Sequence, residues 1–209
     1  MLPIIVALAW PTMLEQLMQT AVQYIDTAMV GTLGTQATAA VGATSTVNWL
    51  INSTISAISI GFLSYISQAL GAAKTDQAKK AASQAVLVSL ITGIFFTILT
   101  VSLSGIVPKW MQVDPSIQKM ASCYFLILYL PMLPRTMGII LGTVLRAAGD
   151  TKTPMKVGCL INLINIILNY FLIYETRTVS FGSLSFLMPG AGLGIIGAAA
   201  ASAIAYTYG

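Results

Sequence analysis

Residues 81–107 form a segment without a charged side chain, AASQAVLVSLITGIFFTILTVSLSGIV. The segment is longer than the roughly 20 apolar helical residues that cross the hydrocarbon core of a bilayer. Because water cannot hydrogen-bond the backbone inside that core, a segment of this kind forms a helix, whose backbone bonds are all internal. We therefore predict a membrane-spanning helix here, and the same criterion can be applied to the rest of the chain.

Six apolar segments result when the chain is divided at its charged and helix-breaking residues. The predicted spans cover residues 2–31, 39–70, 76–107, 116–145, 154–174 and 190–209. The expected fold is therefore all-α, a polytopic membrane protein built as a bundle of six transmembrane helices. Since the sequence stops inside the sixth predicted span, we expect one lobe of a longer protein, truncated before a second lobe.

Three sites carry the residues that usually begin a helix. Asp114-Pro115 and Thr153-Pro154 each offer an N-cap followed by proline at the first helical position, and Thr75-Asp76 precedes the third span. Pro131 and Pro134 interrupt the fourth span, since proline removes a backbone donor and clashes with the preceding turn.

The composition excludes a soluble enzyme and a disordered chain. Of the 209 residues 56% are hydrophobic and 8% are charged, whereas a soluble domain carries about 25% charged residues. Histidine is absent and the two cysteines, Cys123 and Cys159, lie in separate apolar runs, so we expect no cofactor beyond a coupling ion. The net charge of +4 is dispersed, which favours membrane lipid as the surroundings and no nucleic-acid partner.

The basic residues predict an orientation. One set of loops holds six of them and the opposite set holds three. The larger set is Lys74, Lys79, Lys80, Arg146, Lys152 and Lys156, and the smaller set is Lys109, Lys119 and Arg177. Because cytoplasmic loops carry the excess of lysine and arginine, we expect a multi-pass protein of the cell membrane, in bacteria the cytoplasmic membrane, with both termini inside.

Polar residues follow one face of three predicted spans at helical spacing. The first stripe is Glu15, Gln19, Gln23 and Asp26; the second is Ser45, Asn48, Asn52, Ser56 and Ser59; the third is Asn162, Asn165 and Asn169. One interpretation is hydrogen bonding between helices, which contributes about 0.6 kcal/mol per contact. The other is a central aqueous cavity that the three stripes line, with Asp26 and Glu15 as its anionic groups.

The two carboxylates favour the cavity. An ionised carboxylate costs about 2.5–3.5 kcal/mol or more in the middle of a membrane helix and is usually functional. Burial disfavours the charged form, so such a group takes up a proton or is held ionised by a bound cation. Amide oxygens can complete a Na⁺ site, which we place near Asp26, Asn165 and Asn169. This chemistry would couple H⁺ or Na⁺ to a larger cation.

Arg135 lies halfway along the fourth span and has three open interpretations. Its side chain could extend to the membrane interface. It could instead pair with one of the cavity carboxylates. It could also be a functional group placed where Pro131 and Pro134 break the helix.

Four stretches, in order and covering essentially the whole chain, resemble the multidrug and toxic compound extrusion (MATE) family. They are Pro11 with Glu15-Gln16 and Ile25-Asp26-Thr27-Ala28-Met29-Val30-Gly31; Ala69-Leu70-Gly71-Ala72; Leu145-Arg146-Ala147-Ala148-Gly149-Asp150-Thr151-Lys152-Thr153-Pro154-Met155; and Asn165-Ile166-Ile167-Leu168-Asn169 with Gly192-Leu193-Gly194-Ile195-Ile196-Gly197. The resemblance implies two six-helix lobes around a central cavity, of which this chain is the N-terminal one. The second lobe would come from the same full-length chain or from a homodimer.

The same resemblance implies a function. MATE transporters export organic cations and other toxic compounds in exchange for H⁺ or Na⁺, and their first-span aspartate matches Asp26. Some members carry a further aspartate where this chain has Asn169, so the sequence is more similar to the NorM-type branch.

Three alternatives remain at this point. A lipid-linked oligosaccharide flippase of the related superfamily would need a more basic cavity. A membrane-embedded prenyl transferase would need clustered acids for Mg²⁺, whereas the six acids of this chain are dispersed. An inactive half-transporter fragment would lack the second lobe that alternating access needs.

Overall fold

The computed structural model describes residues 2–181 and 184–208. The described helices are α1 (Leu2–Gly31), α2 (Thr35–Gly71), α3 (Thr75–Leu103), α4 (Val107–Trp110), α5 (Pro115–Tyr129), α6 (Met132–Ala147), α7 (Lys152–Ile173) and α8 (Gly194–Tyr208). Two strands, β1 (Glu175–Phe181) and β2 (Leu184–Ala191), lie between α7 and α8. Gly209, the end of the sixth predicted span, lies outside the described residues.

The fourth predicted span is two helices rather than one. The segments α5 and α6 meet at an angle of 47°, across a break of only two residues, Leu130 and Pro131. Pro131 stands at the N-cap of α6, where its missing N–H does not interrupt a helical hydrogen bond. The proline signal was interpreted correctly as an interruption, and the structure adds the bend.

A short antiparallel hairpin departs from the all-α expectation and shortens the sixth span. Strands β1 and β2 pair from Glu175↔Ala191 to Phe181↔Leu184, with an irregularity between Glu175 and Arg177. Five of its residues are of types that favour strands, namely Thr176, Thr178, Val179, Phe181 and Phe186. As a result α8 begins at Gly194 instead of residue 190.

The predicted helix starts are partly confirmed. Asp114 is the N-cap of α5 and accepts a hydrogen bond from the Ser116 N–H at 2.8 Å. Thr153 is wrong as a cap, because α7 already begins at Lys152 and the carboxylate of Asp150 accepts the N–H of Lys152 and Thr153 at 3.1 and 3.0 Å. These bonds, with one from the Thr153 hydroxyl, hold the pKa of Asp150 below its ordinary value.

Small residues allow the helices to approach closely, as expected inside a membrane. A Cβ placed on Gly197 of α8 would collide with the Leu172 carbonyl oxygen of α7. A Cβ on Gly93 of α3 would lie 2.8 Å from Cδ1 of Leu133 on α6. Gly192 and Gly194 adopt φ angles of +65° and +57°. The run from Gly192 to Gly197 is therefore the start of a tightly packed helix.

The two ends of the bundle are distinct. At one end a small cluster joins the end of α2, the start of α3 and the end of α6 through Ile66, Ala78 and Ala147. This brings together the two loops that hold most of the basic residues. At the other end Val30 of α1 packs with residues of α5, α7 and α8, among them Ile117. Asp26 lies toward this second end.

The outer surface is apolar. Trp49, Leu17 and Ile98 are 73%, 65% and 62% exposed, which in a monomeric soluble protein would be an aggregation hazard. By length and composition the helices α2, α3 and α7 are each able to cross a membrane, and the bent pair α5–α6 makes a fourth. The surface and these helices fit a lobe that lies in lipid.

Candidate functional site

A polar cluster joins α1, α7 and α8 around Asp26. The amide of Asn169 donates to the Asp26 carboxylate at 2.5 Å and to the side-chain oxygen of Asn165 at 3.1 Å. The Asn165 amide in turn donates to the Ser202 hydroxyl at 3.0 Å. Asn169 and Asn165 are one turn apart on α7, and both are buried. The cluster therefore fixes the carboxylate of α1 against two amides.

This acidic cluster has unused oxygen ligands. Asp26 takes part in no ion pair among the described residues, and its described partner is a neutral amide. The side-chain oxygen of Asn169 is buried and accepts no described hydrogen bond. Carboxylate and amide oxygens are ligands for a hard cation. The carboxylate can also take up a proton, and the amide oxygen can then accept a hydrogen bond from it. The arrangement is chemically able to bind H⁺ or Na⁺.

Glu15 lies elsewhere on α1 and is already neutralised. Nη2 of Arg146, at the end of α6, donates to both carboxylate oxygens of Glu15 at 2.7 Å. Gly158 of α7 lies against the same side chain, since a Cβ there would be 3.3 Å from it. Glu15 precedes Asp26 by three helical turns, or about 16 Å at 1.5 Å per residue. The two carboxylates belong to different sites.

Arg135 forms a second, basic cluster with α2 and α8. Its Nη2 donates to the side-chain oxygens of Asn52 and Asn48 at 3.0 and 3.4 Å, and its guanidinium lies 4.7 Å from the ring centroid of Tyr206. The side chain is 9% exposed. It therefore does not extend to the interface, and it pairs with no carboxylate among the described residues. It lies close to the α5–α6 break, as the third interpretation expects, and a functional role there stays a prediction.

Helix α8 brings the two clusters side by side. Ser202 closes the acidic cluster and Tyr206 covers the basic one, and residues four apart on a helix are neighbours at about 5–6 Å. One part of each polar stripe thus lies near α8, namely Asp26 of α1, Asn48 and Asn52 of α2, and Asn165 and Asn169 of α7.

Comparison with known proteins now identifies the family. A family model described as MatE matches residues 11–171. The chain belongs to the MatE family. It is 29% identical over 170 residues to the "Probable multidrug resistance protein NorM" of Thermotoga maritima, covering 81% of this chain and 37% of that protein. It is 30% identical over 155 residues to the "Probable multidrug resistance protein YpnP" of Bacillus subtilis, covering 73% of this chain and 34% of that protein.

Solved transporter structures share the fold. A crystal structure of MATE in complex with MaD3S matches with a TM-score of 0.87 and 25% identity, over 98% of this chain and 43% of that one. A transporter of the MOP superfamily from Pyrococcus furiosus matches with a TM-score of 0.86 and 25% identity, over 98% and 42%. The predicted resemblance and the helical membrane fold are confirmed, and the chain is a multi-pass membrane protein. It spans about two fifths of the length of these relatives.

The other residues predicted for the MatE site have more peripheral places. Gln19 and Gln23 are exposed on α1, and Asn162 is half-buried on α7. Within the described part of the chain none of their side chains makes a hydrogen bond to the two clusters. Their positions leave them on the surface that a further lobe or lipid would cover.

Sequence reasoning missed three residues of the MatE lobe that the structure places in these contacts. Ser202 and Tyr206 are polar residues four positions apart in an otherwise alanine-rich segment, and this helical spacing was the signal that could have found them. Arg146 was interpreted only as a loop charge and as part of a motif. A search for basic partners of each intramembrane acid would have considered it.

Proposed function

We propose that this chain is one lobe of a secondary-active multidrug efflux antiporter that exports organic cations in exchange for H⁺ or Na⁺. The observation that carries the proposal is Asp26, a carboxylate within an apolar bundle whose described partner is a neutral amide. An ionised carboxylate is costly inside a membrane, so a carboxylate that is kept there usually has a function. Family membership and the similarity to relatives named as probable multidrug resistance proteins support the proposal.

The exchange follows from competition for one negative charge. When Asp26 is ionised, it attracts an organic cation with little screening, because its surroundings are poor in water. When a proton or Na⁺ neutralises it, that attraction is lost and the organic cation leaves. Asn169 serves both states, since its side-chain nitrogen donates one hydrogen bond to the carboxylate and its free oxygen can accept from a protonated acid or bind Na⁺. A gradient of the small ion would then drive export.

A second lobe completes this scheme. Alternating access needs one lobe to rock against another around a shared site, and this chain covers 37% and 42% of the relatives described above. Two crevices of about 220 and 300 Å³ are present, and neither is lined by Asp26 or Arg135. We infer that the facing lobe, from the same polypeptide or from a second copy, closes the cavity. The bacterial relatives favour the cytoplasmic membrane as its location.

The test compares Asp26→Asn with Asp76→Asn in proteoliposomes that hold the complete transporter. Asp76 lies exposed in the first turn of α3 and serves as the matched control. With an imposed H⁺ or Na⁺ gradient, we expect Asp26→Asn to abolish uptake of a fluorescent organic cation and Asp76→Asn to leave it within twofold. Undiminished gradient-driven transport by Asp26→Asn would refute the mechanism.

The same assay separates a lobe from an inactive fragment. Residues 1–209 alone are reconstituted and compared with the complete protein at equal protein density. Transport by residues 1–209 with a quadratic dependence on density would indicate a homodimer. Transport only by a protein that carries a second lobe would indicate that residues 1–209 are one half of the transporter.

A further inference from the structure

One end of the bundle carries a surplus of positive charge that the proposed transport site does not use. Five exposed lysines lie there, on the turn after α2, on α3 and at the start of α7, and we call them the lysine surface: Lys74, Lys79, Lys80, Lys152 and Lys156. Apart from Glu15, which is paired with Arg146, the acids at this end are Asp76 and Asp150. Among the described residues none of the five lysines forms an ion pair. A surface of this kind attracts anions from its surroundings.

The backbone holds the lysine surface in a defined place. Helices α2 and α6 end in the same motif, in which a residue with positive φ precedes an N–H that donates back to the last helical turn. The Lys74 N–H donates to the Ala69 carbonyl oxygen at 2.8 Å, and the Asp150 N–H donates to the Leu145 carbonyl oxygen at 3.0 Å. The preceding residues have φ angles of +57° and +91°. Because the small cluster described above packs these two ends together, the lysines of both turns belong to one fixed surface.

Apolar stripes continue from the lysine surface along two helices. On α3 the exposed residues on the same face as Lys80 are Leu87, Ile91 and Ile98. On α7 the exposed residues on the same face as Lys156 are Leu160, Leu163 and Ile167. At 1.5 Å per residue the first leucine lies about 10 Å along α3 from its lysine and about 6 Å along α7. The charges therefore stand beside side chains that contact acyl chains, as a phospholipid headgroup does.

We propose that the lysine surface binds the phosphate of an anionic phospholipid from the leaflet at this end, with the acyl chains against the stripes of α3 and α7. Lysine attracts phosphate as a point charge, and basic residues beside membrane helices bind acidic headgroups. The apolar stripes add contacts that a free anion does not make. This proposal is independent of the efflux function, because the lipid binds outside the clusters of Asp26 and Arg135.

The test measures lipid binding to the complete protein in a neutral detergent. Native mass spectrometry gives dissociation constants for dioleoyl phosphatidylglycerol and dioleoyl phosphatidylcholine, which share their acyl chains and differ in headgroup charge. We expect phosphatidylglycerol to bind about tenfold more tightly or better. Two double variants, Lys79→Gln with Lys80→Gln and Lys152→Gln with Lys156→Gln, should each remove most of this preference, because one lysine near an acidic headgroup contributes about fivefold.

Controls separate a local surface from the overall charge. Lys109→Gln with Lys119→Gln removes two exposed lysines at the opposite end, so the net charge falls equally, and the preference should change by less than about twofold. Lys79→Arg with Lys80→Arg keeps the charges and should keep the preference. An excess of inorganic phosphate should not displace phosphatidylglycerol, because it lacks the acyl chains.

Each outcome supports or overturns the lipid site. Equal binding of the two lipids to the unmutated protein, or an unchanged preference in both lysine-to-glutamine variants, would overturn it. An equal loss in the variant of Lys109 and Lys119 would show that net charge sets the preference, which also contradicts a local site. Displacement by inorganic phosphate would indicate a site for soluble anions instead. The Asp26→Asn transport assay is unaffected by any of these results, so the two proposals fail separately.

Discussion

Breaking the ion pair between Glu15 and Arg146 should destabilise the lobe by a predictable amount. The pair joins α1 to the end of α6, and its side chains are 18% and 24% exposed. Exposed pairs contribute about 0–1 kcal/mol, whereas breaking a buried pair costs about 3–5 kcal/mol. The partial burial places this pair between those limits.

The geometry refines the estimate. Both carboxylate oxygens accept from the single nitrogen Nη2 at 2.7 Å, while the buried Nε of Arg146 has no described partner. This is a strong charged contact, but it lacks the two parallel bonds of a full fork. We therefore expect a coupling free energy of about 2 kcal/mol, or roughly 30-fold in the folding equilibrium.

A double-mutant cycle measures that coupling. The free energy of unfolding is determined by denaturant titration with circular dichroism for Glu15→Gln, Arg146→Gln and the double variant of the complete protein. Each single change should cost about 2–3 kcal/mol, and the double variant should cost little more than one of them, because the second removal leaves no uncompensated charge. The pair Asp76→Asn and Lys80→Gln, both exposed on α3, should couple by less than about 0.5 kcal/mol. Strictly additive effects at Glu15 and Arg146 would refute the reasoning.

Two further predictions concern packing and pH. Gly197→Ala should lower the free energy of unfolding by about 1–3 kcal/mol, since its Cβ would meet the Leu172 backbone. The control Gly61→Ala, with open space around it, should be neutral or slightly stabilising. Similar thermal unfolding of both variants would contradict the close α7–α8 contact. Asp150→Asn should destabilise the protein at neutral pH and progressively less as the pH falls. The pKa of Asp150 lies below its ordinary 3.8 in the folded state, so its contribution is present above that value and is lost as the folded carboxyl is protonated. A stability difference that does not change between neutral and strongly acidic pH would exclude this role.

The sequence carried enough information to locate the helices, because the criterion is local. An apolar run bounded by charges must satisfy its own backbone in lipid, and α1 and α7 begin and end within two residues of the predicted spans 2–31 and 154–174. That criterion does not detect the hairpin of residues 175–181 and 184–191. It lies between two predicted spans, where alternating polarity over a few residues is as consistent with a loop as with a strand.

Only part of the site could be predicted from the sequence, and the reason is geometric. Helical period shows which residues share a face, and it correctly placed Asn165 and Asn169 together. It does not show which helix that face meets, because the rotation of each helix depends on long-range packing. The structure places the α7 asparagines against Asp26, the grouping on which the predicted Na⁺ site depends, and it adds that Asn48 and Asn52 of α2 face Arg135.

The distribution of charge argues for Asp26, and against Glu15, as the group that exchanges ions. The carboxylate of Glu15 already accepts two contacts of 2.7 Å from Arg146, so its charge is balanced within the lobe. Asp26 can take up a proton or Na⁺ while it keeps its bond to Asn169, because an amide stays a partner for a neutralised acid.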